Sequence, residues 1–132
     1  MKQIILFIFV VIFISCNNYE GIDITEPSAV INSPNDGDWV TGNLIITAYG
    51  FDDIAVDYLE LWINNINTGL VSNTSPYEFS IETNNYVDGT VLDIAVRAYD
   101  TSENASELSE PISVKVDNNY PNPVILNPIV FE

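Results

Sequence analysis

Residues 88–104 read Asp88-Gly-Thr-Val-Leu-Asp-Ile-Ala-Val-Arg-Ala-Tyr-Asp-Thr-Ser-Glu-Asn104. Leu92, Ile94, Val96 and Ala98 share one parity; Asp93, Ala95, Arg97 and Tyr99 share the other. The turn pair Asp88-Gly89 opens the stretch, and polar residues from Asp100 onward close it. Alternation with a period of two between turn signals marks a half-buried β-strand. A strand this long, late in a domain of this size, is expected in the middle of a sheet. Its aliphatic set then faces a core.

Working outward, the same alternation recurs. Tyr77, Phe79 and Ile81 alternate with Glu78, Ser80 and Glu82. The segments Val56–Ile63 and Ile66–Val71 flank Asn64-Asn65, a hairpin candidate because Asn tolerates positive φ. Leu59, Leu61 and Ile63 form one face of the first segment, and Tyr58, Glu60 and Trp62 the other. In 44–51 the set Leu44, Ile46, Ala48 and Gly50 is small enough for a close-packed interior. Its opposite, Ile45, Thr47, Tyr49 and Phe51, is unusually aromatic for an outward face unless something covers it. A short opening strand, Ala29–Ser33, lies between Pro27 and Pro34, and Ile112, Val114 and Val116 form a closing one. Seven strands with regularly spaced turns and no helix signal give an all-β, two-sheet sandwich.

Composition excludes several functions. Three basic residues stand against nineteen acidic ones, for a formal charge of −16. Lys2 is the only charged residue in 1–15, so the rest of the chain is more acidic still. Such a surface repels phosphate backbones, and no nucleic-acid partner is expected. The acidity itself serves solubility. The absence of histidine removes the commonest general base and metal ligand. No Gly-rich phosphate loop or zinc-ligand spacing is present. The chain is expected not to be an enzyme and to carry no cofactor. Cys16 is the single cysteine, so there is no internal disulfide.

The N-terminus reads as an address. Met1-Lys2-Gln3 precedes an apolar run of eleven residues, Ile4 to Ile14. A membrane-spanning helix needs about 20 residues, whereas the core of a secretory signal needs fewer. Phe13-Ile14-Ser15-Cys16 follows and resembles the lipobox of bacterial lipoproteins. That family usually has an aliphatic residue where this chain has Phe13. The resemblance implies cleavage between Ser15 and Cys16, acylation of Cys16, and membrane lipid as a partner. The other reading is an uncleaved short anchor with a buried Cys16. The resulting organisation is a signal peptide over 1–15, a lipidated Cys and acidic tether over 16–26, the sandwich over 27–118, and a strand-like tail over 119–132. The expected location is the bacterial cell envelope, at the outer membrane or cell surface.

Taken in order, the pieces of 27–118 resemble the bacterial Ig-like domains of secreted and surface proteins. They are Val30-Ile-Asn-Ser-Pro-Asn-Asp-Gly37, the strand led by Gly42 into Asp52-Asp53, and Val56-Asp-Tyr-Leu-Glu-Leu-Trp-Ile-Asn64. Ser75-Pro-Tyr-Glu-Phe-Ser-Ile-Glu-Thr83, Asp88-Gly89, Ala98-Tyr-Asp100 with Asn104, and Val114-Lys-Val116 complete the set. Asn64-Asn65 and Glu103-Asn104 stand where that family often has Asp-Gly and Gly-Asn; both keep turn chemistry. The resemblance implies an immunoglobulin-like sandwich and a spacer, adhesive or carbohydrate-associated module.

Pro27-Ser-Ala-Val-Ile-Asn-Ser-Pro34 recurs in part as Pro121-Asn-Pro-Val-Ile-Leu-Asn-Pro128, at an offset of 94. Two readings stand for 120–132: the opening strand of a second repeat, or a tail that folds back on the same sandwich or hangs loose.

Two groups of residues could carry chemistry. Tyr58, Trp62, Arg97 and Tyr99, with Glu60, Asp93 and Lys115, are expected on one outer surface. They would form a platform for a glycan or protein partner, or a sheet face held by cross-strand pairs. Trp62 beside Arg97 allows a cation–π contact, and Glu60 a salt bridge. Asp52, Asp53, Asp57, Asp100 and Asn104 are loop-end oxygen donors of the kind calcium prefers. Their spacing matches no EF-hand and acidic turns are expected in so acidic a chain, so no metal site is assigned.

Overall fold

The computed structural model describes residues 21–119. The expected signal peptide, Ser15, Cys16 and the tail from 120 lie outside the described residues.

Eight strands follow one another: β1 (Ser28–Ser33), β2 (Trp39–Val40), β3 (Asn43–Phe51), β4 (Val56–Ile63), β5 (Ile66–Ser72), β6 (Tyr77–Glu82), β7 (Val91–Asp100) and β8 (Ile112–Val116). The only helical element among the described residues is a 3-10 turn, Thr83–Asn85. The strands form two sheets, in the orders β1-β3-β6 and β2-β8-β7-β4-β5. The architecture is the expected sandwich with one strand more than the expected seven. The addition is β2, two residues paired parallel to β8 through Trp39↔Lys115 and Val40↔Val116. A pair so short carries no alternation, which is why the sequence does not reveal it.

The stretch 88–104 holds the centre. β7 lies third in the five-stranded sheet, between β8 and β4. Leu92, Ile94, Val96 and Ala98 are fully buried, as are Leu59 and Leu61 of β4. Ile46, Ala48, Phe79 and Ile81 meet them from the three-stranded sheet. Gly50 explains how closely the sheets approach. A Cβ there would lie 3.0 Å from both Leu59 Cδ1 and Val56 Cγ1, so the expected preference for small side chains in β3 has a steric cause.

Turn chemistry fixes the register. Asn64 and Asn65 have φ of 52° and 60°, as the hairpin between β4 and β5 requires. Beyond Ile94, β7 outruns β8, and the loop after Asn104 takes over its free edge. Ser106 N–H donates to Ala98 O at 2.9 Å and Ser109 N–H to Val96 O at 2.8 Å. Ser106 Oγ accepts from Ala98 N–H and Ser109 Oγ from Val96 N–H. Two buried serines thus supply the acceptors that a further strand would have provided.

Candidate functional site

The candidate ligand face is the outer surface of β4 and β7. Their antiparallel register sets Tyr58 opposite Tyr99, Glu60 opposite Arg97, and Trp62 opposite Ala95. The structure therefore brings Tyr58, Trp62, Arg97 and Tyr99 together on one face.

Each of these groups already has a partner on the sheet. The Tyr58 and Tyr99 rings stack with centroids 4.6 Å apart and planes 12° from parallel. The Arg97 guanidinium lies 5.1 Å from the centre of the Trp62 ring. Glu60 does not form the salt bridge that the shared face allows. Its Oε2 accepts from Asn67 Nδ2 at 3.0 Å and from the Tyr99 hydroxyl at 3.3 Å. Asn67 arrives from β5, beside Trp62 in the register, and offers a donor without requiring the arginine to leave its ring. Ala95 was expected to face outward and is nonetheless buried, because its small side chain lies beside Trp62.

Lys115 makes the same kind of contact elsewhere. Its Nζ sits 4.4 Å from the centre of the Trp39 ring, its neighbour across the β2–β8 pair. Both tryptophans of the chain are thus covered by the only two basic residues outside the first two positions. A strongly acidic protein has committed its described cations to aromatic rings. Trp62 Nε1 and Arg97 Nε are shielded from solvent and lack hydrogen-bond partners.

Beside the tyrosine stack is a shallow cavity of about 400 Å³, lined by Asp57, Tyr58, Tyr99, Asp100, Thr101 and Glu103. Desolvation raises the Tyr58 pKa, and neighbouring Tyr99, Glu60, Asp57 and Glu103 raise it further, so the phenol stays neutral. Asp100 is not an open acceptor. Burial works to raise its pKa, but the Asn104 side chain and the backbone N–H groups of Asn104 and Ser102 outweigh this and lower it. Asn104 Nδ2 donates to Asp100 Oδ2 at 2.7 Å, while both backbone N–H groups donate to Oδ1 at 2.8 Å. This closed loop holds the end of β7; of the other carboxylates lining the cavity, Asp57 and Glu103 have no hydrogen-bond partner among the described residues.

The expected group of cation-type oxygens is therefore divided. Asp57 faces the cavity, and Asp100 and Asn104 bind each other. Asp52 and Asp53 meet Asp23 instead, with one oxygen of each within 4.8 Å of the others. Asp52 Oδ2 accepts from the N–H groups of Ile54 and Ala55, both at 2.9 Å. Asp23 Oδ1 accepts from Thr25 N–H at 2.9 Å. Asp23 Oδ2 and Asp52 Oδ1 are buried without a donor. Hard divalent cations favour such oxygens. Asp23 lies 29 positions before Asp52, and no spacing in the sequence points to the approach.

A family model described as a bacterial Ig domain matches residues 27–120. The fibronectin(III)-like modules of CbhA from Clostridium thermocellum are similar at a TM-score of 0.55 and 26% identity, over 72% of this chain and 47% of that one. The endo-beta-1,4-mannanase from Thermotoga petrophila contains a similar fold at a TM-score of 0.53 and 20% identity, over 74% of this chain and 21% of the enzyme. The chain thus spans about half of the first structure and a fifth of the second. A comparison with curated proteins finds no match. Through residues 27–120, this chain belongs to the bacterial Ig domain family.

Proposed function

We propose that the protein is a lipid-anchored lipoprotein of the bacterial envelope whose Ig module is a non-catalytic element for spacing, scaffolding or adhesion. The observation that carries the module's role is the self-partnered face: Tyr58 on Tyr99, Arg97 on Trp62, and Glu60 held by Asn67 and Tyr99. Side chains engaged in this way stabilise a sheet and leave little free aromatic surface for a ligand.

The anchor rests on the apolar run Ile4 to Ile14 and on Cys16 directly after Ser15. Acyl chains on Cys16 would hold the protein in a membrane, at roughly 0.8 kcal/mol per buried methylene. No helix among the described residues is long and apolar enough to cross a membrane. The full chain, expressed in a bacterium fed an alkyne fatty acid, should carry the label and partition with membranes, and Cys16→Ser should abolish both. A labelled Cys16→Ser protein would refute acylation at that position.

A second reading is a carbohydrate-binding surface lipoprotein. The cavity beside the Tyr58–Tyr99 stack, with Asp57 and Glu103 open as acceptors, favours it. Sugar hydroxyls could donate to those carboxylates while a ring lay against Tyr58. A glycan array on the mature protein separates the readings. Binding that Tyr58→Ala abolishes supports the second, and an array without binders supports the first.

A further inference from the structure

The Tyr58 ring has one face that its stacking partner does not cover. β4 lies between β7 and β5, and Tyr99 of β7 stacks on Tyr58 from one side with the planes 12° apart. The opposite face of the ring is therefore turned towards β5. There a hollow of about 310 Å³ is lined by Asp57, Tyr58, Glu60, Val71 and Asn73. Val71 stands across from Glu60 in the β4–β5 register and is 62% exposed, so it adds an apolar wall. The hollow shares Asp57 and Tyr58 with the cavity of about 400 Å³ on the Tyr99 side. Two adjoining hollows thus flank one aromatic ring.

The charge around that ring is unanswered. Asp57 is exposed and, like Glu103, has no hydrogen-bond partner among the described residues. Glu60 uses Oε2 for Asn67 and the Tyr99 hydroxyl and keeps Oε1. The described cations do not reach these carboxylates, because Arg97 lies over Trp62 and Lys115 over Trp39. Desolvation, then Tyr99, Glu60, Asp57 and Glu103, raise the Tyr58 pKa, and the phenol stays neutral beside them.

A neutral ring face between carboxylates attracts a positive group and repels a negative one. An ammonium gains twice: the ring quadrupole draws it to the face, and carboxylates accept its three N–H donors. A uronate or a phosphate meets repulsion instead. The shape suits a sugar chain. One unit can set its apolar side against Tyr58 and Val71 and its hydroxyls against Asn73, and the next can enter the adjoining hollow.

We infer that the groove around Tyr58 selects glycans of hexosamine units with free amino groups, the ammonium lying between the Tyr58 ring and the carboxylates of Asp57 and Glu60. This rests on the glycan-binding reading of the same face. Calorimetric titration of the full chain, purified in detergent, tests it with a glucosamine trimer and its N-acetylated counterpart, in slightly acid buffer that keeps the amines charged. The free-amine trimer should bind at least about tenfold tighter. Asp57→Asn should remove most of that preference, and Tyr58→Ala should weaken both trimers. Glu107→Gln, which removes one exposed charge elsewhere, should leave binding unchanged. Equal affinity for the two trimers would overturn the inference and leave the glycan reading standing. Equal losses in Asp57→Asn and Glu107→Gln would overturn it too, because attraction to the overall charge would then explain the binding. If neither trimer binds, the inference fails, and an array without any binder removes the glycan reading as well.

Discussion

Both outer faces of the sandwich carry aromatic side chains, and they differ in what those side chains touch. On the five-stranded sheet, Tyr58 stacks on Tyr99 and Trp62 lies under Arg97. On the three-stranded sheet, Tyr49 and Phe51 stand beside Val30 and Ile45 without ring partners among the described residues. Aromatic content alone would nominate both as ligand platforms. Partnering separates them: the first face is occupied by its own side chains, and the second leaves its two rings without ring or cation partners among the described residues.

The comparison can be broken or sharpened by substitution, with denaturant unfolding as the measurement. The core beneath both faces sets the upper limit. Leu61→Ala should cost about 2–5 kcal/mol, because Leu61 is fully buried between the sheets. Gly50→Ala should cost about 1–3 kcal/mol by forcing a methyl against Leu59 and Val56. Trp62→Ala should cost about 1–3 kcal/mol, through lost packing and the lost contact with Arg97. Phe51→Ala should change stability by less than about 0.5 kcal/mol, because Phe51 is largely exposed. If Phe51→Ala cost as much as Trp62→Ala, the contrast between the faces would fail.

Asp100 should make stability depend on pH only in acid, with no slope near neutrality, where its contribution is constant. Asp100 has a lowered pKa in the folded state, so the unfolded chain binds its proton more readily. Its contribution is fully present above the ordinary aspartate value of about 3.9 and is lost as the pH falls through the lower folded value. Wild type should therefore lose stability below that pH more steeply than Asp100→Asn. Parallel acid profiles for the two proteins would remove Asp100 from this role.

Most of the fold was legible because its strands are amphipathic and its turns carry their own chemistry. Period-two alternation placed β3, β4, β6 and β7 and assigned their inner faces, and Asn64-Asn65 marked a turn that does adopt positive φ. Contacts that depend on register were legible only in part: the sequence pointed to Arg97 beside Trp62, which the structure shows, but not to the partners of Glu60 or the stacking of Tyr58 on Tyr99. Parity puts Tyr58, Glu60, Arg97 and Tyr99 on one side but does not decide which of them meet. The shared face allowed Glu60 a salt bridge; the register sets it opposite Arg97, and it binds Asn67 and Tyr99 instead. The approach of Asp23 to Asp52 and Asp53, and the use of Ser106 and Ser109 as backbone acceptors, arise from loop paths that carry no periodic signal.

The central claim is that the aromatic face of the five-stranded sheet is built to hold the sandwich together. A double-mutant cycle on Tyr58→Ala and Tyr99→Ala, read by denaturant unfolding, tests it most directly. The stacked pair should show a coupling of about 0.5–1.5 kcal/mol, so that the double variant loses less than the sum of the two singles. Single losses that simply add, to within about 0.3 kcal/mol, would contradict the claim and return these rings to the pool of candidate ligand contacts.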